Sequence, residues 1–119
     1  MPNRLEVELN ADFRPEKRPA ITTGKVSFSF EPGSKKFVHN VQTIGTSEEA
    51  VDVGDVGTVG LVIIKNVGET NYLKVGLTGS YTVKILPGHA AILQPAGTLY
   101  AIANSADVDI ETYVFPAAS

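Results

Sequence analysis

The sequence predicts an all-β fold: a single-domain, jelly-roll-like β-sandwich or barrel of about 8–10 short strands. Three observations predict it. Apolar and polar residues alternate with period two along much of the chain, which marks strands with one buried and one wet face. Glycine, proline and asparagine turn signals fall between these runs. No segment carries a helical period long enough for a helix.

The elements follow in order. Leu5, Val7 and Leu9 alternate with Glu6 and Glu8. Val26, Phe28 and Phe30 alternate with Ser27 and Ser29, and Pro32-Gly33 closes that run. Further strands are expected at 37–44, 49–53, 72–77, 81–86, 90–93 and 99–103. Near the C-terminus Val108, Ile110 and Val114 alternate with Asp107, Asp109 and Glu111. The turns between them include Gly54-Asp55, Thr78-Gly79-Ser80, Pro87-Gly88 and Pro95-Ala96-Gly97.

Thr58 to Lys65 is different, a nearly continuous apolar run whose two faces should both be covered. Leu61 and Ile63 lie on one face, Val62 and Ile64 on the other. A single sandwich buries only one face of a sheet. Val62 and Ile64 are therefore expected at an interface with the arm or with another subunit, and serine there should yield smaller species. Residues 11–24 fit no element. They are charged, contain Pro15 and Pro19, and are expected to form an extended arm or long loop within the 1–119 domain.

The chain of 119 residues is long enough for one core without staples. It has no cysteine, which excludes disulfides, thiolate metal sites and a thiol nucleophile. The first residues lack the pattern of a signal peptide, and no run is long enough for a membrane helix, so no membrane partner is expected. Net charge is −3, the wrong sign for a phosphate-neutralising surface, and no nucleic-acid partner is expected. The charge is uneven. Residues 1–36 hold seven Lys/Arg against five acids, +2, and residues 37–119 hold three against eight, −5. Arg14, Lys17 and Arg18 on the arm, and Asp107, Asp109 and Glu111 along one strand face, could meet opposite charges on neighbouring copies.

Catalytic constellations are missing from the pattern. No nucleophile elbow occurs, and "ITTGKVS" lacks the first glycine of a phosphate loop. The only histidines, His39 and His89, are fifty residues apart. Glu48, Glu49, Asp52 and Asp55 cluster near a turn, but their spacing matches no calcium loop. No catalytic, metal or cofactor-binding residue is assigned, and the expectation is a non-enzyme without cofactors.

From Gly88 the chain reads six residues, Pro95-x-Gly97, two residues, Tyr100, three residues and Asn104. This stretch resembles the second motif of the cupin family, whose jelly-roll barrels often hold a metal. The first gap is one residue longer than in the family, and Tyr100 stands where the family has its metal-binding His. The His-x-His…Glu of the first cupin motif has no counterpart. That resemblance implies the turns of a barrel without its metal.

A second resemblance covers the C-terminal two-thirds. Leu61–Asn66, Thr70-Asn71-Tyr72, Val75-Gly76, Lys84–Gly88, Ala91–Leu93, Leu99-Tyr100-Ala101 and Asp109–Phe115 follow one another. This succession is similar to that of small all-β virion proteins of tailed bacteriophages. It implies a capsid decoration (cement) protein on the virion surface, made in the host cytoplasm. The major capsid protein would be its partner, and a homo-oligomer, favoured as a trimer, its state. A tail, baseplate or fibre-associated adaptor, or a cupin-like protein binding a small molecule or carbohydrate, are the alternatives.

Overall fold

The computed structural model describes residues 3–118. It is all-β, with twelve strands among the described residues: β1 (Leu5–Leu9), β2 (Asp12–Phe13), β3 (Ile21–Thr22), β4 (Val26–Phe30), β5 (Val38–Ile44), β6 (Glu49–Ala50), β7 (Val59–Asn66), β8 (Leu73–Leu77), β9 (Ser80–Ile85), β10 (Ala90–Leu93), β11 (Tyr100–Ala103) and β12 (Val108–Pro116). The two beyond the expected range are β2 and β3, each too short to show a period.

Strands β5 to β12 form a sandwich of two four-stranded antiparallel sheets, ordered β10-β7-β12-β5 and β6-β11-β8-β9. Only β8 and β9 are both consecutive and adjacent, so nearly every connection crosses from one sheet to the other. The first strand of the sandwich pairs with the last, from Val38↔Val114 to Ile44↔Val108. Gly76 sits at an irregularity of the β8–β9 ladder, where a Cβ would collide with the Ser80 carbonyl oxygen.

The core follows from the alternation. In β12, Val108, Ile110, Thr112 and Val114 are buried, while Asp109, Glu111, Tyr113 and Phe115 alternate with them on the outer face. Leu73, Val75, Ile85, Ala101 and Ala103 of the second sheet meet this layer. Each fully buried Val, Leu or Ile contributes about 1.5–3 kcal/mol. Asn66 is the buried polar anchor. Its Nδ2 donates to the carbonyls of Asn71 (2.9 Å) and Ile85 (3.1 Å), and its Oδ1 accepts from the Gly68 N–H (2.8 Å).

The expectation for β7 needs correcting. Val62 and Ile64 are both 0% exposed and belong to the inter-sheet core, so neither forms an interface. They share the side of β7 that faces the second sheet. Leu61, on the opposite side, is also wholly buried within a single chain. The inner face of the run is covered by the second sheet, while on the outer face Leu61 is buried and Ile63 is only partly covered.

Residues 5–30 form a two-stranded ribbon outside the sandwich. β1 pairs with β4 from Leu5↔Phe30 to Leu9↔Val26. Paired residues share a face, so one side carries Leu5, Val7, Leu9, Val26, Phe28 and Phe30, and the other Glu6, Glu8, Ser27 and Ser29. Beyond Leu9↔Val26 the register shifts, with residues 10–11 opposite 23–25, and pairing resumes at Asp12↔Thr22 and Phe13↔Ile21. This bulge uses Gly24 at φ +70°, a conformation that favours glycine. The Thr23 N–H donates to the Ala11 carbonyl (2.9 Å) and the Thr22 hydroxyl to Asn10 Oδ1 (3.2 Å).

Thus 11–24, expected as an extended arm or long loop, is the end of a β-ribbon. At its base the Gly33 N–H donates to the Ala117 carbonyl (2.7 Å), and Pro32 bridges to Ala118. Phe28 and Phe30 line a crevice there with Gly60 and Ala117. The radius of gyration is 15.8 Å. A compact chain of this length would give about 13.5 Å, and a projecting ribbon accounts for the excess.

Candidate interaction surface

The ribbon leaves apolar surface bare. Val7 is buried, but Leu9, Val26 and Phe28 are exposed, and at the end Phe13 and Ile21 reach 62% and 64%. A two-stranded ribbon is marginal by itself, and a bare apolar face invites a cover. The wet face is held by Arg4–Glu6 (2.9 Å) and Lys25–Glu8 (3.6 Å) ion pairs.

The three basic candidates sit at the ribbon's end. Arg14 Nε pairs with Asp12 (2.9 Å), and both side chains stay accessible. Lys17 takes φ +58° in the turn, unusual for a residue with a side chain. Lys17 and Arg18 are exposed and make no ion pair among those found for the described residues. Phe13, Pro15, Glu16, Arg18, Pro19 and Ile21 line a shallow depression between the two edges of the tip. The end of the ribbon thus joins an apolar pair to three cations.

The outer face of the β10-β7-β12-β5 sheet is the second surface. In register, Thr43 lies opposite Asp109, Val41 opposite Glu111 and His39 opposite Tyr113. The His39 ring stacks on Tyr113 at 4.3 Å, and Phe37 lies against Phe115 at 5.1 Å. Val41 is 64% exposed, and Phe37 is also exposed. On β7, Ile63 follows Tyr113 in the same row, and Lys65 pairs in register with Glu111.

Two of the acidic candidates, Asp109 and Glu111, lie on this face on β12, an interior strand of the sheet. Asp109 accepts from the Thr43 hydroxyl (2.6 Å), and Glu111 from His39 Nε2 (3.0 Å) when that nitrogen carries the proton. Asp107 is exposed just before β12. Among the described residues no three His, Asp or Glu side chains gather as a metal-binding group. Sequence reasoning found the charges of both surfaces but missed the apolar residues between them. Period-two alternation on both sides of residues 11–24 was the available signal for a hairpin.

The second acidic cluster has a local structural job. Glu48 accepts from the hydroxyls of Tyr81 and Thr78 (2.7 Å to Thr78) and from the Gly79 N–H (3.3 Å), tying the β5–β6 connection to the β8–β9 turn. The Tyr81 hydroxyl, then that of Thr78, holds the Glu48 carboxyl below its ordinary range, and Glu48 raises Tyr81. Asp52 accepts from Asn40 Nδ2 (3.1 Å) and the Gly54 N–H (2.9 Å).

Residues 88–104 form β10, the Pro95-Ala96-Gly97 turn and β11. Tyr100 lies in the β11 ladder, between Ala50 and Gly76. His89 is exposed in the turn before β10, and its carbonyl accepts from the Asn66 N–H (2.9 Å). A cavity of about 280 Å³ opens beside the turn, lined by aliphatic residues such as Val51, Val53, Val59 and Leu99. No family model matches the chain, and neither the curated proteins nor the solved structures give a match.

Proposed function

We propose that this chain is a non-enzymatic structural protein of a virion, a capsid decoration (cement) protein that bridges neighbouring capsomers. The single observation that carries the reading is the ribbon: a rigid sandwich extends a β-ribbon whose apolar face is bare and whose end is basic. That is the shape of a bridge. The sandwich rests on one subunit and the ribbon reaches the next, with the major capsid protein as partner and a trimer as the favoured state. Repeated weak contacts over a lattice suffice, because linked sites raise effective concentration.

Two further points support it. Numbered one to eight, the sandwich strands run 6-3-8-1 in one sheet and 2-7-4-5 in the other, the order expected of a jelly roll with two interleaved Greek keys. The likeness of residues 61–115 to small phage virion proteins points the same way.

Quantitative mass spectrometry of purified particles tests the reading. A fixed simple ratio to the major capsid protein, at hundreds of copies, is the expected result. A few dozen copies would move the chain to the tail, baseplate or neck. Absence from particles would overturn the structural role and direct attention to the aliphatic cavity beside Pro95–Gly97 as a small-molecule site.

A further inference from the structure

We propose that the ribbon end of one copy docks on the outer face of the β10-β7-β12-β5 sheet of a second copy, so that the protein assembles head to tail with itself. The inference deepens the bridging reading, and it rests on that reading only for its role on a particle. Each surface sets bare apolar residues beside an excess of charge, and the two excesses are opposite in sign.

The ribbon end presents Phe13 and Ile21 side by side, with Arg14, Lys17 and Arg18 outnumbering Asp12 and Glu16 around them. The sheet face presents exposed Phe37 and Val41, flanked by Asp109 and Glu111 with Asp107 beyond them. Lys65 is the cation in the Glu111 row, and Glu111 is its neighbour in register. The same division holds for the whole chain: residues 1–36 carry +2 and residues 37–119 carry −5. Apolar surface rimmed by opposite charges gives a contact both adhesion and register.

Within one chain, each of these charges keeps at most a local partner. Arg14 pairs with Asp12, two residues away. Asp109 and Glu111 meet Thr43 and His39, a hydroxyl and an imidazole rather than a permanent cation. The apolar pair at the ribbon end is left in water. A second copy covers both surfaces at once. The contact is heterologous, because the ribbon end and the sheet face are different patches. Such contacts close into rings when the rotation between copies permits.

Analytical ultracentrifugation of the purified protein, without particles, tests this. The wild type should sediment above the monomer at high micromolar concentration and dissociate on dilution or in high salt. R14E/K17E/R18E should weaken association about tenfold or more, with an unchanged circular dichroism spectrum. Adding D109K/E111K to the same chain should restore it. F13S/I21S should also dissociate the assembly.

A wild type that stays monomeric at every concentration overturns the proposal. So does a tip variant that associates as tightly as the wild type, or a folded five-substitution variant that stays apart. None of these outcomes bears on copy number in particles, so the cement reading stands or falls separately.

Discussion

Phe13 and Ile21 face each other across the last ladder of the ribbon, and water reaches more than half of each side chain. Their burial is no part of the fold. Serine at both positions should change folding stability by about 1 kcal/mol or less, since each surface substitution counts for about 0.5 kcal/mol. The same change should lower occupancy on particles well below wild type. Chemical denaturation and quantification of bound protein measure the two separately, and equal occupancy would remove the ribbon end from attachment.

Ile64 behaves in the opposite way. It is wholly buried between the sheets, so Ile64→Ala should cost about 2–5 kcal/mol through lost transfer energy and a residual cavity. Oligomeric state should not change for whatever fraction remains folded. Urea unfolding followed by sedimentation checks both halves of the prediction.

Asn66 should be as sensitive as any aliphatic core residue. Asn66→Ala leaves the Asn71 and Ile85 carbonyls and the Gly68 N–H without their side-chain partner. Each buried group left unpaired costs about 1–3 kcal/mol. Asn66→Asp should also destabilise, since an ionised carboxylate cannot donate to two carbonyls. A shift of the urea midpoint at unchanged slope would confirm a stability effect without a change of fold.

Glu48 gives the fold a pH signature. Its carboxyl is held below its ordinary value of 4.5 by hydrogen bonds to the ionised form, chiefly from Tyr81. The stabilisation is therefore present above 4.5 and is lost as pH falls through the lowered folded value. Tyr81 is raised above its ordinary value of 10.0, so the same contact is whole below that value and fails as pH rises through the raised one. Glu48→Gln should narrow the difference in melting temperature between neutral and acid pH. The group is exposed, and the effect should be small. Identical pH profiles for the two proteins would refute the assignment.

Much of the sandwich was legible because period-two alternation is a direct image of its two faces. Val108, Ile110 and Val114 are buried, as their spacing requires, and the Pro87-Gly88 and Thr78-Gly79 turns fall between strands. Val62 and Ile64 were assigned to the wrong surface for a physical reason. Periodicity divides β7 into two faces but does not say which one meets the other sheet, and it is the face of Val62 and Ile64 that does. The ribbon was hidden for a different reason. Leu5, Val7 and Leu9 have the alternation of a half-buried strand, yet their face leaves the body and becomes exposed toward Leu9. Alternation records which residues want cover, not whether the same chain supplies it. Strands β2 and β3 hold only two residues each, and the bonds beside them, in which the Thr22 hydroxyl donates to Asn10 and the Thr23 hydroxyl accepts from the Ala11 N–H, have no sequence period at all.

The β5–β12 ladder has a consequence for the order of assembly during synthesis. β12 is the last strand of the sandwich to leave a ribosome, and it lies between β5 and β7. Its sheet cannot close until β12 has emerged. Folding must then wait on pairings between distant segments, the slow class of β topology. The ribbon is made of near neighbours and emerges before the sandwich. The growing chain therefore displays the bare apolar face of its hairpin before it owns a body. On a polysome, neighbouring nascent ribbons would meet one another before any sheet face exists to receive them, so the docking proposed above would require the sandwich to close faster than those ribbons cohere.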